Sequence, residues 1–235
     1  MLIDTTCRSS AAEQLDDFSL SGIELNQALD KIASINRLLG GNQVTLSGVI
    51  TLMKSVTVDR AFKIIDIGCG NGDMLRALAV YARKKGLCFE LTGIDANAAA
   101  IKYAITLSQE FPEIKYICCD FLTSAGEEKY DIVLCTLTLH HFSNDQIEGL
   151  LTVFRQKALL GIVINDLHRH RLAYYLFKMI CFVFNLSELS RNDGLVSILR
   201  GFKRKDLNKF SQHIKSTVTI RWKWAFRYQW IIPTL

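Results

Sequence analysis

The chain predicts an α/β fold, a Rossmann-like doubly wound sheet behind an N-terminal helical cap. Three observations carry that prediction. From residue 62 onward, apolar runs of strand length alternate with segments of helical periodicity. The first of those runs ends in a glycine-rich loop, "IIDIGCGNGDM". Ahead of it, residues 10 to 60 place apolar residues three or four apart, as helices do.

The elements follow in order. "IELNQALDKIASINRLLGG" reads as a helix stopped by Gly40-Gly41, and "QVTLSGVITLMKSV" as a shorter second helix. "FKIIDIG" is a buried strand, followed by a helix over 73–85. "CFELTGID" is the second strand, with a helix over 97–109, and "IKYICCD" the third. "YDIVLCTLT" is the fourth, with a helix over 144–158, and "GIVINDL" the fifth. Such strand–helix alternation builds a parallel sheet with helices on both faces. The tail departs from it. After a helix near 204–214, "STVTIRWKWAF" and "RYQWII" read as an antiparallel hairpin on the sheet edge.

Composition narrows the class. A chain of 235 residues buries one substantial core, and two prolines with about half the residues hydrophobic leave no long disordered linker. The N-terminus "MLIDTTCRSS" lacks the basic and apolar regions of a signal peptide. Seven cysteines without a C-x-x-C pair point to reduced, structural thiols and a cytoplasmic setting. The net charge of +5 is uneven: Arg200, Lys203, Arg204, Lys205, Lys209, Lys215, Arg221, Lys223 and Arg227 face the single acid Asp206 after residue 199. Such a block can meet nucleic acid, an anionic membrane or an acidic carrier protein, or be a solvated face.

The glycine loop gives Asp66-x-Gly68-x-Gly70-x-Gly72. Glycines there let the backbone turn sharply beside a ligand, and the next helix offers unpaired N–H groups. The dinucleotide fingerprint would place its third glycine at position 73, where this chain has Asp73. Asp95 follows the second strand, where it can accept hydrogen bonds from ribose hydroxyls, and Cys119-Asp120-Phe121 follows the third. With these groups in this order, residues 60–235 resemble the class I S-adenosylmethionine-dependent methyltransferases. That resemblance implies the strand order 3-2-1-4-5-7-6 and S-adenosyl-L-methionine as cofactor. It also implies that Gly68, Gly70 and Gly72, with Cys69 between them, border the methionine part, while Asp66 helps hold its amine. Asp95 with Ala96 would take the ribose, Asp120 and Phe121 flank the adenine, and Thr136 border the pocket from the fourth strand. The implied layout is a cap over 1–60 and a methyltransferase domain over 61–235, with a lid over about 167–203.

The acceptor chemistry should show after strands four and five. There is no Pro-Pro-aromatic element of amino-group methylases, and Cys135 lacks the preceding proline of cytosine C5 methylases. A magnesium site of the catechol type needs a carboxylate after strand four, where Cys135 and Thr136 stand, so one carboxylate (Asp166) is insufficient. The "LHHF" ending looks like the quinone and polyketide methylases. His140, His141, His168 and His170 should crowd the rim beyond strands four and five, as candidate bases for a phenol or enol. Asp166 would either orient a histidine or cap a helix starting at Leu167. Zinc is disfavoured because adjacent histidines and an H-x-H do not naturally converge, so no metal is expected.

"LAYYLFKMICFVFNL" carries one charge, Lys178, and is too short to span a membrane comfortably. It reads as a lid over an apolar pocket or an interfacial helix, implying a hydrophobic acceptor and a peripheral membrane or acyl-carrier contact. The leading expectation is transfer of a methyl group to an oxygen, less readily a carbon, of a hydrophobic small molecule such as a phenol, quinol or polyketide. The rivals are an RNA or protein methyltransferase using the basic tail, with nucleic acid disfavoured, and a cofactor-binding partner protein without turnover.

Overall fold

The computed structural model describes residues 3–54, 56, 59–121, 128–184, 186–212, 214 and 216–234. Lys215 of the basic block lies outside them. Seven strands form one sheet in the order β3-β2-β1-β4-β5-β7-β6. These are β1 (Phe62–Ile67), β2 (Phe89–Asp95), β3 (Ile114–Cys118), β4 (Tyr130–Thr136), β5 (Ala158–Leu167), β6 (Thr219–Lys223) and β7 (Arg227–Pro233). The first five pair in parallel; β7 runs antiparallel to both β5 and β6.

Among the described residues, eight α-helices accompany the sheet: α1 (Gly22–Leu38), α2 (Gly41–Met53), α3 (Asp73–Lys85), α4 (Ala98–Leu107), α5 (Asn144–Lys157), α6 (Arg171–Val183), α7 (Glu188–Arg200) and α8 (Arg204–Ser211). Side-chain alternation splits the interior into two cores. Ile64, Ile132, Leu134 and Val163 meet Leu75, Leu78 and Val49 on one face. Ile65, Val133, Ile162 and Ile164 meet Leu150, Phe154 and Trp230 on the other. The period of two along each strand makes this division.

Several expectations need correction. Residues 10–21 are not helical apart from a 3₁₀ turn at Gln14–Asp16. The Asp16 carboxylate accepts from the Glu13 N–H and that of Asp17 from the Ser19 N–H, local bonds that compete with a helix. The segment over residues 3–21 is instead a strap crossing α7: the N–H groups of Gln14 and Leu15 both donate to Asp193. β5 starts three residues before "GIVINDL", because "ALL" continues the apolar run. β6 starts at Thr219, three residues later than expected, and stops at Lys223 because Ala225 and Phe226 turn back with φ of 59° and 53°. The helix near 204–214 stops at Ser211. Asp166 caps no helix. α6 begins at Arg171, and the cap is His170, whose Nδ1 accepts from the Leu172 N–H.

Candidate active site

The C-terminal ends of β1, β2, β4 and β5 open into one cavity of about 1230 Å³. Its floor is the glycine loop. Gly68, Gly70 and Gly72 have φ of 70°, 52° and 77°, the left-handed region where a side chain is strained. At Gly68 a Cβ would also overlap Thr138, and at Gly72 the Tyr116 hydroxyl. Asp66, Gly68, Cys69 and Gly70 line the cavity with Asp95 and Ala96; Gly72 shapes the turn without lining it.

Asp66 is enclosed, and its Oδ1 has no hydrogen-bond partner among the described residues. Burial, with the Asp95 charge nearby, pushes its carboxyl up to about 7. Asp95 braces the loop: its oxygens accept from the N–H groups of Gly70 and Asn97, each at 2.9 Å. Burial raises the Asp95 carboxyl against these bonds, which lower it. Asp120 lines the outer cavity, and Phe121 joins it to the core through Phe154, with ring centroids 5.5 Å apart. Thr136 lines it from β4 and shares a 3.0 Å hydroxyl contact with Thr45 of α2. The next residue, Leu137, has φ of 53°, a strained conformation of a kind that clusters at functional sites.

The opposite wall carries two carboxylate–histidine pairs. Asp166 accepts from the backbone N–H of His140 at 3.1 Å, and its Oδ1 lies 2.7 Å from that ring's Nδ1. Burial works to raise the Asp166 carboxyl, but His140 and the hydrogen bonds hold it below the usual range. An ionised carboxylate only accepts, so His140 keeps its proton on Nδ1. Beside it, His141 Nδ1 lies 2.5 Å from Asp16 Oδ1. Asp16 also accepts from Arg200 at 2.6 Å, and these two partners outweigh burial and depress its carboxyl. The two rings stack loosely, 4.3 Å between centroids.

The pairs differ in access. The His141 side chain is 26% exposed, that of His140 only 3%. The Nε2 of His140 is sealed and without a hydrogen-bond partner, 3.7 Å from Glu13 Oε1. Glu13, His140 and His141 bring ligand atoms within 4.8 Å of one another, a grouping that could hold a metal. However, Arg200 places a guanidinium 3.6 Å from the same Glu13 oxygen and Asp16 already engages His141, so the group is an internally compensated ion-pair network.

His168 lines the cavity mouth and His170 does not. Burial, His170, Lys203 and Arg169 together lower His168 to about 4, leaving it neutral at ordinary pH. Its Nδ1 accepts from the Trp222 indole at 3.2 Å, and His170 stacks on Phe226. The sequence reading did not find Glu13, Asp16 or Arg200. Their positions depend on the strap and α7 packing together, which no local pattern signals. It also missed Arg169, a buried hub that donates to the carbonyls of Thr5 and Gly201 and to Asp206.

Two residues of the basic block are interior rather than surface charges: Arg200 in the ion-pair network, and Arg227 in the cavity wall. The roof is apolar, formed by α6, α7 and the tip of the β6–β7 hairpin.

Residues 64–157 match the family model described as "Methyltransferase domain". The chain is 28% identical over 138 residues to the ubiquinone biosynthesis O-methyltransferase of Rickettsia bellii, covering 57% of this chain and 55% of that one. To the enzyme of the same name from Rickettsia prowazekii it is 27% identical over 154 residues, covering 64% and 58%. It thus spans little more than half the length of these curated relatives. Among solved structures, the plantazolicin methyltransferase BpumL, in complex with a triazolic desmethylPZN analog and SAH (S-adenosylhomocysteine), aligns with a TM-score of 0.65 at 18% identity over 90% of each chain. The magnesium protoporphyrin IX methyltransferase of Synechocystis, with bound SAH, aligns with a TM-score of 0.58 at 17% identity over 83% and 84%. These likenesses show a shared fold.

Proposed function

Starting from a chain that carries a methyltransferase domain of the S-adenosylmethionine-dependent fold, we propose that it transfers a methyl group from that cofactor to an oxygen of a hydrophobic phenol, quinol or enol. One observation carries the reading: the glycine loop and the Asp16–His141 pair face a single, largely apolar cavity.

The residues fit the cofactor. Asp66 presents an unpartnered carboxylate oxygen to an amine, and the three left-handed glycines leave the backbone open to a close ligand. Asp95, Asp120 and Phe121 line the same cavity, which supports the reading of Asp95 as acceptor for ribose hydroxyls and of the other two as flanking the adenine. S-adenosylmethionine, when bound, supplies an already activated methyl group on a sulfonium.

The protein's task is then alignment and proton removal. His141 is the base favoured by access. Asp16 holds its Nδ1, which would leave Nε2 to take the hydroxyl proton of an acceptor. The Asp16 carboxylate, fixed by Arg200, stabilises the resulting imidazolium. Asp166 and His140 form the rigid backing of the histidine pair. The apolar roof excludes water and selects a greasy acceptor. The name shared by the Rickettsia relatives, O-methyltransferases of ubiquinone biosynthesis, supports an oxygen acceptor of quinol type.

The roof also supports a peripheral membrane contact as the route of such an acceptor. Met179, Phe182 and Val183 of α6, with Trp222 and Trp224 of the hairpin, are exposed, Phe182 by 88%. Exposed Arg171, Lys178 and Arg221 accompany them, as on interfacial helices. No helix among the described residues is long and apolar enough to cross a membrane. Incubation with methyl-labelled cofactor and a panel of alkylated phenols and quinols tests the function. Labelled ether product is expected; label appearing only in RNA or protein would overturn the small-molecule reading.

A further inference from the structure

Arg227 opens β7 and is 3% exposed. Its Nε and Nη1 are fully enclosed without a hydrogen-bond partner, and no carboxylate lies within ion-pair distance of it among the described residues. The other buried arginines differ. Arg169 is tied to Asp206 and three backbone carbonyls. Arg200 is tied to Asp16 and to the carbonyls of Ala11, His140 and His141. A buried, uncompensated cation is costly and is kept only where something answers it. Asn36, which also lies against Gly41, has an unpartnered Oδ1, but that is a neutral acceptor. The oxygens of Asp166 already accept from His140 and the Leu167 N–H.

Arg227 lines the same cavity as the glycine loop. The ladder places it: Arg227 pairs with Leu167, four residues beyond Val163, and Val163 aligns through Leu134 with Asp66, so Arg227 stands four residues above the level of Asp66, at the height of the glycine loop. Three strand spacings, roughly 14 Å, and four residues of rise, roughly 13 Å, put the two backbone positions roughly 19 Å apart, a gap that two side chains and an amino-acid-sized ligand between them fill. The same cavity is also lined by Asp95, Glu13 and Asp16, which disfavour a multiply charged anion.

We propose that Arg227 is the anchor of a carboxylate subsite in this cavity. The subsite answers an unpaired cation at one end of a pocket whose other end, at Asp66, presents an unpaired carboxylate oxygen to an amine. That pairing fits a zwitterion, the amino-acid end of the cofactor. A carboxylate on an aromatic methyl acceptor has the same chemistry. The inference rests on the cofactor reading above, and the test separates the two.

Binding is measured by calorimetry with S-adenosylhomocysteine and with its decarboxylated counterpart, which keeps the amine. The acceptor arm uses an alkylated dihydroxybenzoate and the matching alkylresorcinol. A charge-assisted contact is expected to be worth about 10- to 100-fold in affinity. The wild type should bind S-adenosylhomocysteine more tightly than the decarboxylated ligand by that factor, and Arg227→Met should erase the difference. If the acceptor supplies the carboxylate, the benzoate–resorcinol difference is erased instead. Equal affinities within both pairs in the wild type would overturn the subsite, and that comparison needs no variant to fold. The melting temperature of ligand-free Arg227→Met should hold or rise; a fall of many degrees would mark a structural arginine and overturn it as well. Failure of the wild type to bind either adenosyl ligand would sink the cofactor reading, while the acceptor arm still decides the subsite.

Discussion

Asp66→Asn replaces a buried carboxyl that desolvation, with the Asp95 charge nearby, pushes up from 3.8 to about 7. A carboxyl with a raised folded pKa stabilises the protein below its unfolded value and loses that contribution as pH rises through the folded one. The window here runs from about 4 to about 7, and three units amount to an upper bound of about 4 kcal/mol. The ligand-free asparagine variant should therefore match the wild type near pH 4 and exceed it increasingly towards pH 8, read by urea unfolding. Cofactor binding runs the other way. A bound ammonium favours the ionised carboxylate, so at pH 6 the wild type should release close to one proton more than Asp66→Asn on binding S-adenosylhomocysteine. Calorimetry in buffers of different ionisation enthalpy counts that proton. Equal proton counts in the two proteins, or a stability difference flat across pH, would refute an amine site at Asp66.

Other outcomes follow from the same geometry. His141→Ala should cut turnover by about 10²- to 10⁴-fold with S-adenosylhomocysteine affinity kept, measured by single-turnover label transfer. Equal turnover would leave alignment as the whole mechanism. Asp95→Ala removes the brace on the Gly70 N–H and, with it, the proposed ribose acceptor, and should abolish S-adenosylhomocysteine binding at micromolar ligand in calorimetry. Gly68→Ala forces a left-handed φ of 70° and an overlap with Thr138, and should lower stability by about 1–3 kcal/mol in denaturant titration. Phe182→Ser, at an exposed α6 position outside the cavity lining, should weaken sedimentation with anionic vesicles while leaving turnover of a soluble short-chain phenol unchanged.

The sheet was legible because its signals are local. β1, β4 and β5 are apolar runs buried on both faces, β3 is a half-exposed edge strand marked by its place in the alternation, and the glycines of the loop take left-handed φ. Asp66, Asp95 and Thr136 stand at strand ends, so their place in the cavity wall follows from their positions in the chain. The acceptor side was only half legible. His140 and His141 were visible as residues, but not their partners. Asp16 lies 125 residues from His141 and Arg200 a further 59 beyond. The strap looked helical because its apolar spacing is permissive, while the short bonds of Asp16 and Asp17 that break the helix are tertiary in consequence and local in cause. Arg227 was counted as part of a basic surface, since charge counting alone does not distinguish an interior cation from a solvated one.

The strap also sets an order of events. The parallel part of the sheet and the glycine loop are complete by the end of β5, but the carboxylate paired with His141 comes from residue 16 and the guanidinium that fixes it from residue 200. Joining them closes most of the chain into one loop, the slowest class of contact to form. On the reading proposed above, the glycine loop would therefore be in place before the Asp16–His141 pair is assembled.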